Sequence, residues 1–300
     1  MPDTMTTTLD DVLRESRAAL REAELEDPAL ESRILVEHFT GTTRAHALTS
    51  PRRPIEPEVA EQIMAAVDRR ARGEPVYRII GCRQFYGLDL TVSPATLDPR
   101  QDTEALVDEV VGFVHEVSAR RGSCRILDLG TGTGAIALAL VSQDPAAVAT
   151  GVDVSADALV IATGNAERVG VATRFTPLLS DWFGAVSGRF DVIVSNPPYI
   201  PTGLIASLDP EVRDFDPVGA LDGGEDGLDA YRLLALKAMD HLEAGGRIAV
   251  EIGCDQRLDV AMIFGTAGYA LVSERRDLAG HDRVLVFSAG SPDAVASCAA

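Results

Sequence analysis

Apolar residues recur at helical spacing in three stretches of the first third of the chain, 9–25, 28–40 and 56–72. In the first, Leu9, Val12, Leu13, Ala19 and Leu20 share one side; in the third, Val59, Ile63, Ala66 and Val67 do so, and Gly73 marks the stop. Pro51, Pro54 and Pro57 punctuate the connection before that third helix. The pattern predicts a small helical bundle. Residues 83–97 change character: Phe85-Tyr-Gly-Leu-Asp-Leu-Thr-Val reads as a short hairpin around Gly87, linking the bundle to the rest of the chain. A helix is expected over 102–119.

From Arg125 onward, short apolar runs alternate with helical stretches. Strands are expected at 125–129, 148–152, 173–177, 190–195, 246–252, 269–273 and 283–287, and helices at 134–142, 156–169, 228–243 and 256–267. That alternation predicts a doubly wound α/β fold with a seven-stranded, at least mostly parallel, Rossmann-like sheet. Residues 200–227 carry few periodic signals but many Asp, Gly and Pro, and so long a loop in a compact domain is usually functional. The expected organisation is a helical domain at 1–74, a hairpin linker at 75–98, the α/β domain at 99–290 and a disordered tail at 291–300.

Composition narrows the class. A hydrophobic fraction of 46% and a charged fraction of 24% in 300 residues suit a soluble globular protein. No apolar run is long enough for a membrane span, and the N-terminus lacks the basic start and apolar core of a signal peptide. Cys82, Cys124, Cys254 and Cys298 are scattered, which argues for reduced thiols in a cytoplasm and against a disulfide framework or zinc site. No metal is expected. Of the net charge of −19, residues after 95 carry −15, with 15 basic and 30 acidic side chains. That part is a poor match for a phosphate backbone, so no direct nucleic-acid contact is expected. Arg69, Arg70, Arg72, Arg78 and Arg83 form the one basic cluster of note, which reads as a solvated helix end in preference to a docking surface.

Two motifs carry chemistry. Arg125-Ile-Leu-Asp-Leu-Gly-Thr-Gly-Thr-Gly-Ala-Ile-Ala-Leu reads as strand, glycine turn and helix, with glycines that allow a tight turn and close approach to a ligand. Gly130-x-Gly132-x-x-Ala135 alone also satisfies a dinucleotide fingerprint. Asp153 ends the second strand, where an acidic side chain grips ribose hydroxyls in either kind of site. Two features favour S-adenosylmethionine over NAD. Asp128 could meet a cationic amino group but would repel a pyrophosphate. Asp181 and Trp182, after the third strand, can line an adenine pocket. The second motif is Asn196-Pro197-Pro198-Tyr199, directly after the run Phe190–Ser195. Its prolines end the strand and stiffen the backbone. The Asn196 side-chain oxygen and the Pro197 carbonyl can then accept the two hydrogens of a planar –NH2 group, with Tyr199 packed on its face. Orientation and preorganised dipoles would supply most of the rate, because a delocalised amide nitrogen is a weak nucleophile. Beside a nucleotide-like cofactor, that receptor points to methyl transfer to nitrogen.

The chain resembles the HemK (PrmC) protein-glutamine N5-methyltransferases over nearly its whole length. The matching segments are Gly73-Glu-Pro-Val, Arg83-Gln-Phe-Tyr, Val92-Ser-Pro-Ala-Thr-Leu-Asp-Pro-Arg-Gln-Asp-Thr-Glu104, Asp128–Gly134, Ser180-Asp-Trp-Phe, Asn196–Tyr199, Glu251-Ile-Gly and Arg276–Arg283. The resemblance implies a class I methyltransferase sheet and transfer from S-adenosylmethionine to the GGQ glutamine of class-I release factors. It implies that Gly130, Thr131, Gly132, Thr133 and Gly134 hold the methionine part, Asp153 the ribose and Trp182 the adenine. Asn196 is implied between cofactor and substrate, Asn196–Tyr199 around the glutamine amide, and the helical domain as an aid to release-factor recognition. The expected enzyme is a monomer. Gln101 departs from the family's usual Pro and should loosen that turn. An adenine-N6 nucleic-acid methyltransferase would need the same two acceptors and is disfavoured by charge. A glutamine methyltransferase of a ribosomal protein stays open. An NAD-dependent dehydrogenase leaves Asn196–Tyr199 unexplained, and a non-catalytic cofactor-binding scaffold leaves the complete set of polar groups unexplained.

Overall fold

In the computed structural model, which describes residues 7–289, the helical pattern of the first third becomes α1 (Leu9–Glu22), α2 (Pro28–Thr40), α3 (Arg44–Thr49), α4 (Pro57–Ala71) and α5 (Val76–Ile80). Thr8 caps α1 reciprocally with Asp11, its hydroxyl accepting from the Asp11 amide at 3.3 Å while Asp11 accepts from the Thr8 amide at 3.1 Å. Asp27 caps α2, Pro28 opens it, and Gly41 closes it in the left-handed region. Leu9, Val12, Leu20, Leu35, Val36, Ile63 and Val67 form the buried core of this unit. The chain divides after Gly81, so the hairpin groups with the α/β unit.

That hairpin is β1 (Cys82–Phe85) and β2 (Leu88–Thr91), turning at Tyr86 and Gly87, both with positive φ. Two residues in that conformation match the twist of paired strands, and only the glycine adopts it freely. A 3-10 turn (Gln101–Thr103) leads into α6 (Glu104–Arg121). The α/β alternation then runs through β3 (Cys124–Leu129), α7 (Ala135–Gln143), β4 (Ala147–Asp153), α8 (Ala156–Arg168), β5 (Phe175–Leu179), β6 (Phe190–Ser195), α9 (Pro210–Arg213), α10 (Asp229–His241), β7 (Leu242–Glu251), α11 (Arg257–Thr266), β8 (Tyr269–Arg276) and β9 (Asp282–Ala289). The seven-stranded sheet has the order β5-β4-β3-β6-β7-β9-β8. Its first five strands run parallel, and β9 runs antiparallel to both neighbours. The sheet is therefore doubly wound and mostly parallel, as the alternation predicts. β3 and β6 lie at its centre and are almost wholly buried, which is why they read as continuous apolar runs.

Departures from the expected boundaries have local causes. β5 starts two residues late because Ala172–Arg174 first form a 3-10 turn. It tolerates Pro177 because it is an edge strand. α10 ends at His241 and β7 begins at once, so the strand starts before the expected Gly246. The loop 200–227 carries short turns at Thr202–Ser207, Pro210–Arg213 and Val218–Ala220. Its segment Pro210–Phe215 groups with the helical unit. There Glu211 and Glu31 both pair with Arg70, which is only 2% exposed. Arg70 is thus a buried ion-pair centre and not a solvated residue, whereas Arg69 and Arg72 are exposed. No helix among the described residues is long and apolar enough to cross a membrane. The tail expected at 291–300 lies outside the described residues.

Candidate active site

A cavity of about 580 Å³ opens at the carboxyl ends of β3, β4 and β6, where the strand order reverses. Ligands of open α/β sheets bind at such a switch point. Four strand ends contribute to its wall.

The turn from β3 to α7 bends through Gly130, Gly132 and Gly134, all with positive φ. Its backbone is pinned to the neighbouring strand. The amides of Gly130 and Thr131 both donate to the Val152 carbonyl at 2.9 Å. The Gly132 amide donates to Asp153 Oδ2 at 2.9 Å, and Asp153 Oδ1 accepts from the Ser155 amide at 2.9 Å. Asp153 is therefore fixed on both oxygens at the mouth of the cavity. Gly151 supports the same turn by being absent as a side chain: a Cβ there would meet the Phe175 ring at 2.6 Å and Thr131 Oγ1 at 2.9 Å. Asp128 lies beneath, with no exposed surface. Its Oδ2 accepts from Thr131 Oγ1 at 2.7 Å and from the Ala137 amide at 3.2 Å. Burial pushes its carboxyl up to about 7 against those two hydrogen bonds, which pull the other way.

After β5, the Ser180 amide donates to the Asp153 carbonyl at 3.0 Å, and Ser180 Oγ accepts from the Ala185 amide at 2.8 Å. Trp182 is held in this tight turn with φ 47°, a conformation rare for a side chain of its size. It lines the cavity, with Asp181 exposed beside it.

The segment expected to receive the substrate amide follows β6. Ser195 Oγ donates to the Leu129 carbonyl at 2.7 Å and locks the ends of β6 and β3 together. Asn196 Nδ2 donates to Thr103 Oγ1 at 3.2 Å. The Tyr199 carbonyl accepts from Gln256 Nε2 at 3.0 Å, and the same amide group donates to the Gly227 carbonyl at 3.2 Å. Gly223 and Gly227 pack against this segment so closely that a Cβ on Gly223 would lie 2.8 Å from Tyr199 Cα. Burial holds the Tyr199 hydroxyl up at about 12, with the Glu251 charge adding to the effect.

Of the residues expected from sequence, Gly130, Thr131, Gly132, Thr133, Asp153, Asp181, Trp182, Asn196 and Pro198 line the cavity. Asp128, Gly134, Pro197 and Tyr199 do not. Asp128 supports Thr131 from behind, and Gly134 stands at the start of α7, where a Cβ would press on Leu138. The wall also includes Ala95–Arg100, Thr103, Pro217, Gly219, Ala220, Asp222–Gly224, Asp229, Ala230 and Leu233, which carried no site assignment. Arg100 reaches Asp216 at 2.9 Å and ties the segment before α6 to the loop after β6. The only signals for these residues were the Pro-Arg-x-Asp-Thr-Glu segment and the glycine-rich character of the loop.

The strand order, the reversed β9 and the glycine turn beside the fixed Asp153 carboxylate define the fold of a class I S-adenosylmethionine-dependent methyltransferase. A solved methyltransferase from Pyrococcus furiosus has the same fold, with a TM-score of 0.51, 21% identity and coverage of 75% of this chain and 98% of its own. Family models for the PrmC N-terminal domain and the methyltransferase small domain match residues 11–81 and 106–205. Similar relatives include the release factor glutamine methyltransferases of Agrobacterium fabrum, 50% identical over 91% of this chain and 94% of that protein, and of Caulobacter vibrioides, 42% identical over 94% and 96%. The chain belongs to the release factor glutamine methyltransferase family, whose methyl donor is S-adenosylmethionine. The residues present fit that donor: a glycine-rich turn with positive φ angles, a fixed carboxylate on β4 and the Trp182 indole share one cavity wall.

Proposed function

We propose that this protein methylates the side-chain amide nitrogen, N5, of the GGQ-motif glutamine in class-I peptide chain release factors. The observation that carries this reading is the Asn196 amide in the same cavity wall as the glycine turn and Trp182, at the end of a rigid central strand. Family membership over almost the whole chain supports the protein substrate.

Gly130, Thr131, Gly132 and Thr133 would hold the methionine part of S-adenosylmethionine, Asp153 the ribose hydroxyls, and Asp181 and Trp182 the adenine. Bound there, the cofactor supplies an electrophilic sulfonium methyl. Asn196 Oδ1 and the Pro197 carbonyl accept the two hydrogens of the substrate amide and turn its nitrogen toward that methyl. Pro198 restricts the amide's approach, and Tyr199 holds the segment in place through Gln256. With the donor bound, its carbon–sulfur bond would break as the nitrogen–carbon bond formed, and the surplus proton would leave the nitrogen for water. Fixed dipoles that need no reorganisation during the reaction stabilise its charge redistribution. The helical unit contributes to recognition of the release factor, and the enzyme works as a cytoplasmic monomer.

Intact-mass spectrometry of an unmethylated release factor, incubated with this protein and S-adenosylmethionine, tests the reading. The expected result is one added methyl, located by fragmentation on the GGQ glutamine. No addition, with cofactor binding shown separately, would move the target to another protein.

A further inference from the structure

Glu251 ends β7 and is only 2% exposed, yet the acceptor and cofactor contacts described above leave it without a task. β6 and β7 pair in parallel with Ser195 opposite Val250, so the chain places Glu251 beside Asn196 at the next position. Thr103, 4% exposed at the end of the 3-10 turn before α6, completes the cluster. Asn196 Nδ2 donates to Thr103 Oγ1 at 3.2 Å, and both Thr103 and Asn196 act on the Glu251 carboxyl by pulling its protonation down. One carboxylate oxygen, Oε2, is buried with no close partner of its own among the described residues.

An asparagine amide has two ends of nearly equal size and opposite hydrogen-bonding sense. Only Oδ1 can accept from a substrate –NH2; an Nδ2 facing the cavity would meet donor with donor. Thr103 alone cannot decide between the two orientations, since a hydroxyl both donates and accepts. An ionised carboxylate only accepts. An ionised Glu251 would therefore accept a hydrogen bond from the Thr103 hydroxyl, leave Thr103 Oγ1 as an acceptor toward Asn196, and so draw Nδ2 inward.

We propose that Glu251 is a positioning residue that acts with Thr103 to hold the Asn196 amide with its oxygen toward the substrate. This rests on the reading of Asn196 as the acceptor for the substrate amide.

The surroundings keep the carboxyl close to its protonation point. Burial pushes Glu251 up to about 7, while the Thr103 hydrogen bond, the Arg283 charge and the Asn196 hydrogen bond oppose that and Asp102 reinforces it. Arg283, on β9, is itself engaged by Asp277 at 2.8 Å. Tyr231, from α10, donates to the Glu251 backbone carbonyl at 2.9 Å, and Tyr199 faces the group from the acceptor loop. Protonated Glu251 can donate, so Thr103 loses its fixed sense and the amide is free to turn over. Turnover should fall as pH drops through the carboxyl's protonation.

The test compares Glu251→Gln, Thr103→Val, Thr103→Ser and Asn196→Ala in the full-length protein, using a purified unmethylated release factor. Glu251→Gln should lower kcat about 10- to 100-fold, the cost of a misdirected buried hydrogen bond, with cofactor affinity unchanged. The acid limb of the wild-type kcat profile should vanish in that variant. Thr103→Val should lose kcat similarly, and Thr103→Ser should recover most of it. Wild-type kcat in Glu251→Gln, or equal kcat in the Val and Ser variants, overturns the proposal. Should Glu251→Gln not fold, the Thr103 pair and the wild-type pH profile decide. An inactive Asn196→Ala beside a fully active Glu251→Gln would sink only the positioning role. An active Asn196→Ala would remove the acceptor reading as well.

Discussion

At the cofactor end of the cavity the supporting bonds are short in sequence, whereas at the acceptor end they are long. Thr131 bonds to Asp128 three residues away, and Gly132 to Asp153 on the adjacent strand. Asn196 instead leans on Thr103, 93 residues earlier, and Tyr199 on Gln256, 57 residues later. One end is a single strand–turn–helix unit braced by its neighbour. The other is assembled from the segment before α6, the loop after β6 and the start of α11. The two ends meet at Asn196, whose carbonyl oxygen would lie 3.9 Å from a Cβ on Gly130. Binding and chemistry should therefore be separable by mutation.

The widest separation is expected for Asn196→Ala. Losing this preorganised acceptor should cut single-turnover methyl transfer about 100-fold or more. Cofactor binding by calorimetry should stay close to wild type; near-normal transfer would end the proposed role of the acceptor segment. Gly227→Ala attacks the same end through its scaffold. Gly227 has φ +76°, and an added Cβ would collide with the Tyr199 carbonyl oxygen. Backbone strain plus collision should cost about 3 kcal/mol in denaturant unfolding. Turnover of the folded fraction should drop more than cofactor affinity does. Gly151→Ala reverses the comparison by displacing Thr131 from below. Cofactor affinity should weaken about tenfold, the equivalent of one lost hydrogen bond. The kcat at saturating cofactor should hardly change, and a large kcat loss with intact affinity would contradict the division.

The smallest effect concerns pH. Burial raises Asp128 to about 7, so between about pH 4 and 7 the folded protein keeps a proton that the unfolded chain has released. Stability of the cofactor-free protein is thus greatest below this window and declines as pH rises through it. Asp128→Asn should flatten that decline by about 1–2 kcal/mol in unfolding measured at pH 5 and 8. Glu251, also held up to about 7, should preserve part of the slope. An unchanged slope would mean that Asp128 titrates as an ordinary carboxylate.

The same contrast between local and remote support governs what the sequence revealed. Helices with an apolar stripe, such as α1 and α4, and central strands with continuous apolar runs, such as β3 and β6, arise from short-range pattern, because one face or both faces must be buried. So does the glycine turn, whose positive φ angles are a property of a few adjacent residues. Asn-Pro-Pro-Tyr after β6 marked the acceptor end for a similar reason: two prolines must end a strand. Sequence alone left Gln256, Gly223 and Gly227 unnoticed, and Thr103 and Glu251 had no stated role. Nothing in their local context reveals that a fold will bring them to one strand end. It also assigned Asp128 to the ligand and Arg70 to solvent. Tertiary packing put Asp128 beneath α7 and brought Glu31 and Glu211 onto Arg70. Local periodicity and turn chemistry determined the elements, the sheet class and the two motifs. Only the folded arrangement decided which polar groups face the cavity and which are buried behind it, because hydrogen bonds between distant residues exist only once the sheet has brought their strand ends together.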